Sequence, residues 1–284
     1  MSTSSSPWSD CGESGAARGH SGAAEVILTS DYHTHTPYSH GKGTVLENAQ
    51  QAQAKGLKQI GITDHGFAHL AFGLKRKKVP ALMEDCREAS ERTGVQVLVG
   101  MEANILGESG RTEMRPEDYG SFDLFIAGKH VFVAYSPFSQ WFTYFAPNFF
   151  ADKLRLKPGR ALVERDTRAY VNTIRENPVD IIAHVNYLNF ADAVEVAKCA
   201  ADYGTYIEIN TKKTHLSDEE WQDVIDKTRV RFLIDSDAHS ADRVGDTKLA
   251  EDLFSRIAFP MDRIDNIDGR TASFRFGEYK KKHL

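Results

Sequence analysis

Val26-Ile-Leu-Thr-Ser-Asp31-Tyr-His33-Thr-His35-Thr-Pro-Tyr-Ser-His40 runs from a short apolar segment into three closely spaced histidines. The apolar part, Val26 to Leu28, has the length of a buried strand and delivers Asp31, His33 and His35 at its end. On an extended chain, residues i and i+2 face the same side. His33 and His35 therefore present two imidazoles together, a ready pair of metal ligands. A polar loop with three solvated histidines is the plain alternative for this segment alone, because short His-x-His matches arise by accident.

The same arrangement recurs along the chain. Leu57 to Ile62 leads into Thr63-Asp64-His65, and Val95 to Val99 into Gly100-Met-Glu102-Ala-Asn104. Phe122 to Ala127 leads into Gly128-Lys129-His130, and Val179 to Ala183 into His184. Thr205 to Ile209 ends at Asn210, and Val230 to Ile234 leads into Asp235-Ser-Asp237-Ala-His239. Helical segments separate most of these runs. Thr44 to Glu47 and Ser217 to Glu220 are capping-box patterns opening helices that run to Gly56 and about Thr228. Further helices are expected over Pro80 to Thr93, Asp166 to Asn177, Phe190 to Tyr203 and Asp246 to Ala258, with Gly94, Pro178 and Gly204 stopping the first three. Seven short, continuously apolar strands alternating with helices predict an α/β fold, a closed or nearly closed parallel barrel. A doubly wound open sheet is the structural alternative.

Six of the seven predicted strands carry a histidine or acid just past their C-terminal ends, where the active sites of parallel barrels lie. The candidates are His33, His35, His40, His65, Glu102, His130, His184, Asp237 and His239. Each alone could be an incidental loop residue; repetition at one strand end argues against that for the set. Imidazoles with carboxylates suit zinc, manganese or iron rather than magnesium or calcium. Nine ligands exceed what one ion needs and suit two or three ions that share bridging carboxylates. Such a site can hold a phosphate oxygen and generate hydroxide at neutral pH.

The bulk composition fits. With 284 residues, 41% hydrophobic and 26% charged, the chain can bury a large core. A net charge of −5 gives no general basic field to draw in nucleic acid. Cys11, Cys86 and Cys199 form no Cys-x-x-Cys pair and read as free thiols of a reducing compartment. No apolar run is long enough for a bilayer and the start lacks a secretory core, so the cytoplasm is the expected location.

The ordered set Asp31-x-His-x-His35, Thr63-Asp-His65, Gly-Met-Glu102-Ala-Asn, Ala-Gly-Lys-His130, Ile-Ala-His184 and Ser-Asp237-Ala-His239 resembles the motifs of the PHP (polymerase and histidinol phosphatase) family over about residues 25–260. The resemblance implies a distorted seven-stranded (β/α)7 TIM-like barrel with a metal site at the C-terminal ends of its strands. It also implies a trinuclear metal phosphoesterase. On that resemblance His33, His35, Glu102 and Asp237 hold one metal, and Glu102 bridges to a second held by His130 and His184. His40, His65 and His239 hold the third. Zinc is the first expectation, manganese and iron the alternatives. Glu102, Asp237 and His239 would be catalytic through a hydroxide generated at the cluster.

The expected organisation is a flexible tail over residues 1–24, a barrel over residues 25–270 and a charged C-terminal tail over residues 271–284. An aromatic-rich insertion spans about residues 131–160 and contains Phe132, Tyr135, Phe138, Trp141, Phe142, Tyr144, Phe145, Phe149 and Phe150. It reads either as packing against the barrel or a neighbouring copy, or as a lid over the metal face. Asp31 and Asp64 are candidates to orient histidines, or to cap turns. Lys42, Lys129, Lys212, Lys213 and Arg243 lie near the predicted metal face as candidate phosphate contacts, with solvated cations as the plain reading, and Asn210 is a candidate to contact substrate or to hold a loop. The expected function is metal-dependent hydrolysis of a small phosphomonoester such as histidinol phosphate or a sugar or nucleotide phosphate. A nuclease or phosphodiesterase and a non-catalytic metal-binding scaffold are the alternatives. The expected partner is that small substrate, without membrane or nucleic acid, and an oligomer is left open.

Overall fold

Seven parallel strands follow one another in sequence order: β1 (Ser30–Thr34), β2 (Gln59–Ile62), β3 (Gln96–Asn104), β4 (Leu124–Gly128), β5 (Ile181–Ile182), β6 (Tyr206–Asn210) and β7 (Phe232–Asp235). The computed structural model describes residues 26–135 and 137–284; the expected tail over residues 1–24 lies outside them. β7 comes back against β1. There Thr34 bridges Ala238 in parallel, and Asp235 accepts the Tyr32 N–H through a side-chain oxygen at 2.7 Å. The sheet is thus nearly closed, with part of its last seam made by a side chain. The β1–β2 register shifts between Asp31 and Thr34, which distorts the same region.

Helices α1 (Val45–Ala54), α2 (Val79–Thr93), α3 (Ala146–Lys153), α4 (Arg160–Glu176), α5 (Ala193–Tyr203), α6 (Asp218–Lys227), α7 (Lys248–Arg256) and α8 (Arg275–His283) complete the fold. Both expected capping boxes form, Thr44 with Glu47 and Ser217 with Glu220. Gly94 and Gly204 end α2 and α5 with φ of 74° and 69°, a region open to glycine at little steric cost. One apolar core lies between sheet and helices. A smaller one fills the barrel, with Tyr32, Leu124, Ile126, Ile181, Tyr206 and Leu233 among its members.

Three expectations need correction. Val26 to Leu28 does not form the first strand: Leu28 makes an antiparallel bridge to Ile267, and β1 begins at Ser30. The strand is polar yet wholly buried; the Asp31 carboxylate and the Thr34 hydroxyl find partners inside the fold. His33 and Glu102 consequently lie within strands and not after them. α4 begins at Arg160, ahead of the expected Asp166. Finally, residues 271–284 do not form a frayed end. Phe274 packs on Tyr32 at 4.9 Å between ring centroids, and Phe276 is fully buried against Tyr119 and Phe125. Phe274 thus covers the barrel core at the end opposite the histidines, and Phe276 packs beside it in the layer between sheet and helices.

The insertion forms a π-helical turn over Trp141–Phe145 that runs into α3. Its inner aromatics, Tyr135 and Tyr144, are buried, while Phe132, Phe138, Phe142 and Phe150 are exposed.

Candidate metal centre

Glu102 sits at the centre of the strand-end cluster and is completely buried. Its Oε1 lies 2.7 Å from His184 Nε2, 3.0 Å from His130 Nε2 and 3.4 Å from His33 Nε2. Its Oε2 lies 2.7 Å from His65 Nδ1 and 3.7 Å from His35 Nε2. Asp237 Oδ1 is 3.2 Å from His35 Nε2 and 3.3 Å from His239 Nδ1. The His40 ring stands 4.3 Å from His239 and 4.8 Å from His65, between centroids. All nine expected ligands are therefore brought together. Three groups have ligating atoms within 4.8 Å of one another: His33, His35 and Asp237; His65, Glu102 and His130; and His35, His65 and His239. This grouping differs in part from the implied one, because His65 stands between Glu102 and His239 within reach of both.

Hydrogen bonding fits these residues to cations. His33 Nδ1 is 2.6 Å from Glu208 Oε1. An ionised carboxylate only accepts, so Nδ1 carries the proton and Nε2 offers a lone pair. His130 Nδ1 is fixed in the same way by Asn104 Oδ1 at 2.8 Å, and Asn104 is held by Glu113. In the neutral rings both Nε2 lone pairs then face Glu102 Oε1, an arrangement of acceptor against acceptor that a proton or a cation would reconcile. Glu102 Oε2 and His65 Nδ1 are close but not aligned for hydrogen bonding, and both are buried without such a partner. His35 Nδ1 and His184 Nδ1 are likewise unpartnered. Backbone strain collects here too, since His184 and Asp237 have φ of 31° and 47°.

Electrostatics follow the same geometry. Burial pushes Glu102 up, but His130, His33 and His65 outweigh it and hold the carboxyl well below its usual range. Asp237 is also held low, by His33, His35 and Lys212 against burial. Burial lowers the His33 and His184 imidazoles, but Glu102 and other carboxylates outweigh it and raise both. Protons thus compete with cations for these nitrogens. Burial and neighbouring cationic groups bring His65 down to about 3 and His40 to about 4, leaving them neutral near pH 7.

Comparison with known proteins identifies the family and the fold. The model of the PHP domain family matches residues 31–212. The probable phosphatase TTE1963 of Caldanaerobacter subterraneus subsp. tengcongensis is 30% identical over 259 residues, covering 86% of this chain and 89% of the relative. This chain belongs to the PHP domain family. The probable phosphatase Teth514_1060 of Thermoanaerobacter sp. (strain X514) is also 30% identical, over 90% of this chain and 97% of its own length. Among solved structures, the histidinol phosphate phosphatase of Lactococcus lactis subsp. lactis, complexed with zinc, L-histidinol and phosphate, shares the fold. The TM-score is 0.51 at 14% identity, over 81% of this chain and 92% of that one.

Beside the PHP cluster lies a cavity of about 330 Å³. Lys212 lines it, with Nζ 3.2 Å from Asp237 Oδ1 and 3.1 Å from His239 Nδ1. Lys213 lines it as well, its N–H donating to Asn210 Oδ1. Of the other expected phosphate contacts, Asn210 serves the scaffold: its amide donates to Glu208 and Asp237, and its carbonyl accepts from Lys212 and Lys213 N–H. Arg243 pairs with Asp246 and donates to Thr211 O. Lys42 is exposed and does not line the cavity. Lys129 points elsewhere: its ammonium lies 4.2 Å from the centroid of the buried Tyr144 ring. Asp31 and Asp64 touch no imidazole nitrogen. Asp31 accepts from Ser236 and Gly245 and so fixes the backbone leading to Asp237; Asp64 accepts from Thr36 and Ser39 and fixes the turn carrying His40.

Some partners of the PHP cluster escaped sequence reading. Glu208 orders His33 through Oε1, while its Oε2 accepts the His184 N–H at 2.8 Å. An acid between Ile207 and Ile209 in a buried strand was the available signal. His69 and His215 line the cavity from loops, where sequence shows nothing distinctive.

Proposed function

We propose that this chain is a metal-dependent phosphatase that hydrolyses a small phosphomonoester at a multinuclear site. The convergence of seven histidines on Glu102 and Asp237, next to a cavity bearing Lys212, carries this reading. His33, His35, His40, His65, Glu102, His130, His184, Asp237 and His239 would hold two or three divalent cations, zinc first, with manganese or iron as alternatives. Bound cations would supply charge neutralisation and acidify water. The protein's own groups do the rest. Lys212 offers its ammonium to a phosphate oxygen. Glu208 and Asn104 keep the His33 and His130 tautomers that leave Nε2 free. The relatives named probable phosphatases, and the zinc and phosphate in the Lactococcus lactis structure, support the reading. Among the described residues no helix is long and apolar enough to cross a membrane.

The test combines elemental analysis of protein purified without chelator with a phosphatase screen over phosphorylated metabolites. Glu102→Ala and Asp237→Ala are expected to lose more than about a hundredfold in turnover, beyond the loss typical of a metal ligand's outer partners, while the fold is retained by circular dichroism. Wild-type turnover in either variant would sink the proposal.

A further inference from the structure

Next to the metal cavity lies a larger hollow that phosphate hydrolysis does not itself require. Its volume is about 900 Å³, against about 330 Å³ for the metal cavity. Val131, Phe132 and Tyr187 line both, so the two share a wall. Beyond that wall the lining is aromatic, with Trp141, Phe145 and Phe149 contributed by the insertion. Lys153 is the only charged side chain among the described residues that line it. The insertion is anchored toward the cluster, because Tyr135 donates its hydroxyl hydrogen to His130 O at 3.0 Å. Its outer aromatics remain bare: Phe138 is 71% exposed and Phe132 66%. Contiguous apolar surface of this kind marks a binding site.

Adjacency to the metal cavity selects the occupant. A phosphate ester at the cluster whose alcohol portion lies against the Phe132–Tyr187 wall borders the hollow, and a large alcohol would reach into it. Resting on the phosphatase reading above, we infer that the substrate is a phosphomonoester of a large, uncharged, mainly hydrocarbon alcohol, with its hydrocarbon in the aromatic hollow. In the reaction the P–O ester bond breaks, the oxygen of water joins phosphorus, and a proton from that water ends on the released alcohol. The volume lies within the range of small-molecule sites.

The experiment measures kcat/KM of metal-loaded enzyme for glycerol, butyl, hexyl and decyl phosphates, each below its critical micelle concentration. Each added methylene is expected to raise kcat/KM by up to about fourfold until the hollow fills. Trp141→Asp and Phe149→Asp, both at partly exposed positions, should each lower the decyl-to-glycerol ratio at least tenfold. A flat series in the wild type, or an unchanged ratio in both variants, overturns the inference while leaving the phosphatase reading intact. Inactivity toward all four esters also overturns the inference, and the metabolite screen above then decides the phosphatase reading separately. A flat series together with a dimer that Trp141→Asp dissociates, seen by light scattering, assigns the hollow to a second copy of the chain and also overturns it.

Discussion

Replacing Glu208 with Gln changes one acceptor atom and almost no volume, yet it should weaken metal binding. The Glu208 carboxylate takes three donors: His33 Nδ1 at 2.6 Å on one oxygen, and His184 N–H at 2.8 Å and Asn210 Nδ2 at 2.9 Å on the other. Gln has a single oxygen. Turned toward His33, it sets its NH₂ against two buried donors, each costing about 1–3 kcal/mol when unpaired. Turned toward His184 and Asn210, it meets only one conflict, at His33 Nδ1, so this orientation wins. His33 relieves that conflict by moving its proton to Nε2, the atom that faces Glu102 Oε1 at 3.4 Å. A lone pair offered to a cation becomes an N–H. Metal affinity is expected to fall about 10- to 100-fold, or about 1.4–2.7 kcal/mol, without loss of thermal stability in the metal-free protein. Competition with a chromogenic chelator reads the affinity, and ¹⁵N chemical shifts of His33 read the tautomer. Affinity within threefold of wild type, or a His33 still protonated at Nδ1, would refute the reasoning.

Two further predictions concern the opposite end of the barrel. Phe276→Ala should destabilise the protein by about 3–5 kcal/mol, since it removes a fully buried aromatic; urea unfolding checks this, and a loss below about 1 kcal/mol would return the last residues to the status of a tail. Asp180 is buried and raised to about 7 by desolvation, against the Phe276 and Phe125 N–H groups it accepts from. The folded state therefore holds this proton more tightly than the unfolded state between about pH 4 and 7, and the stability linked to it is lost as pH rises through that window. The difference in melting temperature between Asp180→Asn and wild type should shift in favour of Asn from pH 5 to pH 8; a difference independent of pH would contradict the raised pKa.

Much of the fold was legible because it rests on local chemistry. The capping boxes at Thr44 and Ser217 and the glycines after α2 and α5 act through neighbouring backbone, so they mark helix ends wherever the helices pack. β1 was misplaced because an apolar-run criterion passes over Ser30-Asp-Tyr-His-Thr34, whose burial depends on partners more than 200 residues away, at Asp235 and Ser236. The C-terminal segment was misread for a related reason. Lys280 to Lys282 dominate its composition, but two aromatics before them, Phe274 and Phe276, find a barrel end that only the closed sheet creates.

The order of imidazoles and carboxylates along the chain was enough, by itself, to name nine candidate positions that the fold gathers at one rim of the sheet. It could do so because ligand chemistry belongs to residue type, and a parallel sheet sends every strand end to the same rim. Tertiary structure alone decided which of them lie together, which tautomer the His33 and His130 rings hold, and that Lys129 faces Tyr144 while Lys212 faces the cavity. Those outcomes depend on distances and directions between segments far apart in sequence, and such directions exist only once the barrel has closed.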